Sequence, residues 1–261
     1  MNILFIGDIV GKAGRQAIEG LLERILRDHQ VHFTVANGEN AAGGMGITPG
    51  IAQDFLDLGI DVLTSGNHIW AKKEIYPFLD EEPRLLRPAN YPAGAPGRGA
   101  GVFPLSNGKK VGILNLEGRV FMRNLDCPFR VGEREVEKLK EQTPIILVDF
   151  HAEATSEKMA LAWFMNGKAS AVVGTHTHVQ TSDETILTGG TAYLTDAGMT
   201  GPTASVIGIR RQIAVDRFLS QMPYKFDVAT EGTELQGVIL DLDDGTGKAR
   251  GIYRLRVPLG K

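Results

Sequence analysis

The chain has 261 residues, of which 43% are hydrophobic, with a formal net charge of −3 and a single cysteine. That length suits one large α/β domain over 1–261, and the acidic balance argues against a nucleic-acid scaffold, which carries a basic excess. Cys127 cannot form an internal disulfide, so a reducing cytoplasm is the expected home, and no apolar run nears the roughly 20 residues that span a bilayer.

"MNILFIGDIVG" lacks a basic leader and turns acidic at Asp8, so it reads as a first strand and not a signal peptide. "GRQAIEGLLERILRDH" follows with Ile18, Leu21, Leu22, Ile25 and Leu26 on one helical face. "VHFTVANGEN" is a second strand running into a turn. "TPGIAQDFLDLG" is a helix with Thr48 as N-cap and Pro49 at its first position. "IDVLTSGNH" is a third strand and "AKKEIYPFL" a short helix, so the rhythm is βαβαβ and predicts parallel strands with helices on their faces.

From about 83 to 108 the chain is rich in Pro and Gly and is expected to make a long surface excursion. "GVFPLS" and "KVGILNLEG" then form a strand pair around Asn107-Gly108. "EREVEKLKEQ" is an exposed helix, "PIILVDFHAE" a strand, 155 to 166 a helix and "ASAVVG" another strand. "ETILTGGTAYLTDAG" and "GVILDLDDGTGKARGIYRLRV" are hairpins around Gly189-Gly190 and Asp244-Gly245. The residues alone therefore predict a parallel sheet with a mixed or antiparallel one packed beside it. The basic pairs Lys72-Lys73 and Arg210-Arg211 read as solvated helix surface.

Polar residues collect where strands end: Asp8, Glu39 with Asn40, Asn67 with His68, His151, and His176 with His178. Sites in open α/β sheets lie beyond the carboxyl ends of strands. Taken singly, Asp8 is a turn former or helix cap, "GEN" and "GNH" are turn chemistry, and a lone His is a satisfied core residue. Together, four of the six histidines with two carboxylates and two amides point to a metal site. Without thiolates a Cys-type zinc site is excluded; mixed N/O ligands suit Mn, Fe, Ni or Zn. Eight candidate groups suit two ions about 3.5–4 Å apart, an arrangement used on phosphate esters.

In this order, "GD", "GEN", "GNH", an isolated His and "GTHTH" resemble the calcineurin-like metallophosphoesterases, whose pattern is D-x-H, GD, GNH, H, GHxH. "GDIVGKAGR", "NGENAAGGMGIT", "TSGNHIW", "GTHTHVQT" and "TDAGMTGP…SVIG" resemble more closely the YmdB-like branch, bacterial phosphodiesterases active on cyclic nucleotides. The likeness runs over essentially the whole chain. Val10 stands where the D-x-H histidine would be, and Glu39 replaces the bridging Asp; both changes are expected in this branch. The resemblance implies a four-layer sandwich of two mixed β-sheets flanked by helices, the metallophosphoesterase fold. It further implies that Asp8, Glu39, Asn40 and His178 hold one ion, while Glu39, Asn67, His151 and His176 hold the other. If residues 176 to 178 are extended, the two imidazoles leave one face about 6.6 Å apart and span two ions.

The implied reaction is hydrolysis of small cyclic nucleotides, 2′,3′-cAMP or 3′,5′-cAMP, by a metal-bridging hydroxide. The cofactors are two divalent or mixed-valence transition-metal ions, Fe or Mn first and Zn or Ni next. His68, next to ligand Asn67 but assigned to neither ion, is the expected general acid. Gly43 and Gly44 in "AAGGMGIT" are candidates to line the phosphate or nucleoside pocket. The partner expected is a small phosphodiester, with no membrane and nucleic acid disfavoured; a homo-oligomer is compatible. Two alternatives fit the same residues: a phosphomonoesterase or nuclease on this scaffold, and a non-catalytic nucleotide or metal sensor. A pure sensor has no need of His68.

Overall fold

The computed structural model describes residues 1–105 and 107–260. The chain opens with β1 (Asn2–Ile6), the short β2 (Asp8–Ile9), α1 (Gly11–Asp28), β3 (Val31–Asn37), α2 (Pro49–Asp57), β4 (Val62–Thr64) and α3 (Ile75–Glu81). β1, β3 and β4 are parallel, as strands joined through crossover helices are expected to be. Thr48 caps α2, its side chain accepting from Ile51 N, and Pro49 needs no backbone donor at that position.

The middle of the chain builds a second sheet from β5 (Ala100–Pro104), β6 (Lys110–Glu117), α4 (Pro128–Lys140), β7 (Ile146–His151), α5 (Thr155–Met165), β8 (Ala171–Thr175), β9 (Thr185–Ile186) and β10 (Ala192–Leu194). Its order is β5-β6-β7-β8-β10-β9, parallel from β6 to β10 with one antiparallel strand at each edge. β11 (Met199–Pro202), α6 (Arg211–Ser220), β12 (Thr233–Leu242) and β13 (Ala249–Pro258) return to the first sheet. There β12 pairs antiparallel with β1 and carries β13 on its other side.

Both sheets are therefore mixed. That is the arrangement the resemblance implies; the residues alone predict a parallel sheet beside a mixed or antiparallel one, and the antiparallel pairing of β12 with β1 corrects that reading. The two predicted hairpins exist but belong to different sheets, because β12 finds a long partner in β1 while β10 aligns with β8.

Period-two alternation explains the four layers. On β1, Ile3 and Phe5 join the core between the sheets, while Leu4 and Ile6 face α1 and α2. On β7, Leu147 points between the sheets, and Ile146, Val148 and Phe150 pack on α4 and α5.

The Pro/Gly-rich stretch is less superficial than expected. Leu85 and Leu86 are fully buried, and Leu86 N bonds to Leu63 O beside β4. Asn90 is also buried, tied to β6 through Glu117 O. Two adjacent leucines with a free sheet edge beside them outweigh the local turn composition. β5 ends at Pro104, and Ser106, the last residue of the predicted strand, lies outside the described residues. Among the described residues no helix is long and apolar enough to cross a membrane.

The inter-sheet core carries the stability of this arrangement. Phe5→Ala is expected to cost about 3–5 kcal/mol, read as a lowered urea midpoint at unchanged slope.

Candidate metal centre

The inward-facing row of each central strand is apolar until its carboxyl end and then turns polar. Val35 gives way to Asn37, Leu147 to Asp149 and His151, and Val173 to Thr175, all buried. The candidate residues sit directly beyond this layer, delivered by the ends of β1, β3, β4, β7 and β8.

One group centres on His151 Nε2. Asn67 Oδ1 lies 3.0 Å from it, His176 Nδ1 3.0 Å and Glu39 Oε1 3.1 Å. Asp8, Asn40 and His178 form the neighbouring group. His178 Nε2 is 3.2 Å from Asn40 Nδ2 and 3.9 Å from Asp8 Oδ1, and Asn40 Nδ2 is 3.3 Å from Glu39 Oε1. His178 Nδ1 is 2.9 Å from Ile207 O; only an N–H can bond a carbonyl, so the Nε2 lone pair faces Asn40 and Asp8. His68 N donates to Glu39 Oε2 at 2.9 Å, and its Nδ1 lies 2.7 Å from Asn40 Oδ1 and 3.3 Å from Glu39 Oε1.

The double histidine differs from the extended geometry expected. His176 has φ 105° and His178 φ 62°, both in the left-handed region that non-glycine residues avoid. The ring separation is therefore set by a turn and not by strand spacing. Side chains from distant elements hold it. Lys158 Nζ, wholly buried on α5, donates to Thr175 O at 2.7 Å and to Asp196 Oδ2 at 2.8 Å. Asp196 Oδ2 also accepts Thr177 N at 3.0 Å, and Asp8 Oδ2 accepts His176 N at 3.0 Å. The peptide groups on both sides of His176 are thus anchored, which offsets the local strain.

The remaining candidates land as follows. Val10 is buried, and a Cβ added to Gly208 would lie 3.0 Å from its Cγ1. Gly43 is exposed, with nothing within 4 Å of an added Cβ, whereas Gly44 packs on Val228. Gly44 meets the cluster only through main chain, its N donating to Asn40 O at 3.1 Å. Glu153, unmarked in the sequence, lies at the rim with Oε2 3.0 Å from His176 Nε2. A cavity of about 700 Å³ opens beside His178, lined in part by Ile207, Tyr253 and Arg254, room enough for a small ligand.

Charge is unbalanced here. Burial raises the Asp8 carboxyl above its usual range, only partly offset by His178 and His151. Burial opposes ionisation of Glu39 too, but His151 and His68 outweigh it and hold that carboxyl well below the ordinary range. Burial works against a charged His151; Glu39, Asp8 and Asp149 overcome it and push the ring up to about 9. Burial and the His151 charge push His176 down to about 3. Burial lifts Asp149 to about 7.

These groups fit a cation. Asp8 Oδ1 is buried without a hydrogen-bond partner, and oxygen and nitrogen lone pairs converge on His151 Nε2. Glu39, His151 and His176 offer ligand atoms all within 4.8 Å of one another.

Comparison with known proteins finds relatives along the whole chain. The YmdB-like protein family matches residues 4–255. A Bacillus subtilis (strain 168) protein named 2′,3′-cyclic-nucleotide 2′-phosphodiesterase is 48% identical over 257 residues, covering 98% of this chain and 97% of the relative. A hypothetical protein from Thermus thermophilus superposes with TM-score 0.92 at 40% identity, over the full length of both chains. A phosphatase from Mycoplasma pneumoniae superposes with TM-score 0.92 at 32% identity, covering 99% of this chain and 93% of its own.

Two outcomes follow from the geometry. A Cβ on Gly66 would lie 2.1 Å from His151 Cδ2, so Gly66→Ala should displace that ring and lower the metal bound per chain in elemental analysis, with far-UV circular dichroism retained. His151 titrates above its ordinary 6.5, so its protonated form stabilises the metal-free fold fully below pH 6.5. That contribution disappears as pH rises through about 9. The Tm of metal-free protein should fall across this window, and fall less in His151→Asn.

Proposed function

The chain belongs to the YmdB-like protein family, and from that premise we propose that it is a metal-dependent phosphodiesterase acting on small cyclic nucleotides, of the 2′,3′-cAMP or 3′,5′-cAMP type. The observation that carries this reading is the convergence of Glu39, Asn67 and His176 on His151 Nε2 at 3.0–3.1 Å. Four lone-pair atoms crowd together there, and no lysine or arginine pairs with Asp8 or Glu39 among the described residues. The 48% identity to the Bacillus relative favours the 2′,3′ ring.

Asp8, Glu39, Asn40 and His178 would hold one ion; Glu39, Asn67, His151 and His176 would hold the other, with Glu39 shared. The donors are oxygen and imidazole nitrogen, which suits Fe or Mn, and also Zn or Ni. The bound ions would neutralise phosphate oxygens and lower the pKa of the attacking water. With only two carboxylates in the set, the loaded site keeps net positive charge and attracts a phosphodiester monoanion.

His68 supplies the remaining proton. Its Nδ1 faces two acceptors, Asn40 Oδ1 and Glu39 Oε1, so Nδ1 keeps its hydrogen. Nε2 is then the nitrogen that protonates the departing ribose oxygen as its bond to phosphorus breaks. The side chain is 31% exposed, open to the crevice and not sealed in the core.

The deciding assay uses protein stripped of metal and reloaded with Mn²⁺, offered 2′,3′-cAMP, 3′,5′-cAMP and a nucleoside monophosphate. Turnover of a cyclic diester that vanishes with chelator is expected; no turnover at full metal occupancy sinks the enzyme reading. His68→Ala should keep its metal yet lose about 10²–10⁴-fold on the cyclic nucleotide, and far less on an activated aryl diester. Equal losses on both substrates would remove His68 from the acid role.

A further inference from the structure

Beneath the site, Thr175 on β8 stands opposite His151 on β7 in the strand register, with Asp149 two residues earlier on the same face. Thr175 Oγ1 lies 2.7 Å from Asp149 Oδ1 and 2.9 Å from His151 Nδ1. All three side chains are buried. A hydroxyl has one hydrogen to give. Asp149 Oδ2 accepts Asn37 Nδ2 at 3.2 Å and Oδ1 accepts the Thr175 hydroxyl at 2.7 Å, so the one Thr175 hydrogen is directed at Asp149. The amide of Asn37 is 3.5 Å from His151 Nδ1, the weaker of its two contacts. Toward His151 the Thr175 oxygen is therefore an acceptor, and Nδ1 carries the hydrogen.

A neutral imidazole with hydrogen on Nδ1 has its lone pair on Nε2. Nε2 is the nitrogen that faces Glu39, Asn67 and His176. We propose that Thr175 and Asp149 are positioning residues, a hydroxyl–carboxylate relay that fixes the tautomer and ring plane of His151 for a metal ion. The inference rests on the metal reading above. Neither residue is placed among the ligands, since both touch Nδ1, whereas Glu39, Asn67 and His176 gather on Nε2; Asp8 Oδ1 also lies 3.8 Å from Nδ1, an acceptor on the side where the hydrogen is placed. His178 is oriented by a different device, the Ile207 carbonyl on its Nδ1. The rim histidine thus leans on main chain, and the interior one leans on a buried side-chain pair.

The test is Mn²⁺ titration calorimetry on metal-stripped wild type, Thr175→Val and Thr175→Ser. Valine keeps the shape and the strand preference but has no hydroxyl; serine keeps the hydroxyl. Mn²⁺ affinity should fall about 10–100-fold in Thr175→Val, the usual cost of losing a partner of a ligating histidine, and recover in Thr175→Ser. Zn²⁺-loaded wild type should show His151 with hydrogen on Nδ1 in ring-nitrogen NMR, a readout independent of any variant's folding. Wild-type affinity in Thr175→Val, or hydrogen on Nε2 of His151, overturns the relay and leaves the metal reading standing. Failure of wild type to bind Mn²⁺ or Zn²⁺ removes both.

Discussion

Two carboxylates, Asp8 and Glu39, are buried at one edge of a β-sandwich, and among the described residues their ion-pair partners are histidines and not lysine or arginine. Burying an ionised carboxylate is costly unless a positive charge meets it. In the protein alone a proton on His151 meets part of that need, which is why its pKa is pushed up to about 9 while His176 beside it is driven down to about 3. Two adjacent imidazoles respond in opposite senses to one imbalance. A multivalent cation answers the same demand with less crowding of protons, and Asp8 Oδ1, left without a partner, is the atom that most needs it.

The rest of the architecture keeps these groups in place. The parallel strands of both sheets bring their carboxyl ends to the cluster, so the core between the sheets passes from Val and Leu to Asn, Asp and Thr and then to the cluster. This intermediate polar layer gives each inner side chain a hydrogen-bond partner in a dry environment, where such bonds orient strongly. The Lys158–Asp196 pair belongs to the same logic. Wholly buried, it is spent on backbone atoms flanking His176 and holds a turn that its own residues disfavour.

Much of this is legible in the residues. The alternation of β1, the capped start of α2 at Thr48-Pro49 and the glycine-centred hairpins follow from local rules. The polar strand ends from Asp8 to His178 stand out because turn formation and capping account for each one alone but not for all of them together. The family resemblance implies two ligand sets; in the structure His176 lies beside Glu39, Asn67 and His151, and His178 beside Asp8 and Asn40, which supports the proposed assignment. Asp149 and Thr175 are fainter in the sequence, flanked by stronger motifs, although they carry a signal of their own. Each continues the inward parity of an apolar strand row, and a polar residue at such a position is buried by construction.

Sequence by itself determined which residues sit at strand ends and which face they take, because strand parity, caps and turns are properties of near neighbours. Tertiary structure decided that the ends of two different sheets meet at one edge, and that β12 and β10 complete separate sheets. It also decided the left-handed backbone at His176 and His178, where spacing alone implied an extended pair. That conformation is unfavourable locally, and at His176 it is held by Asp8, Lys158 and Asp196, which anchor the peptide groups on either side. Asp8 lies 168 residues from His176, so the contact comes into being only once the sandwich has closed.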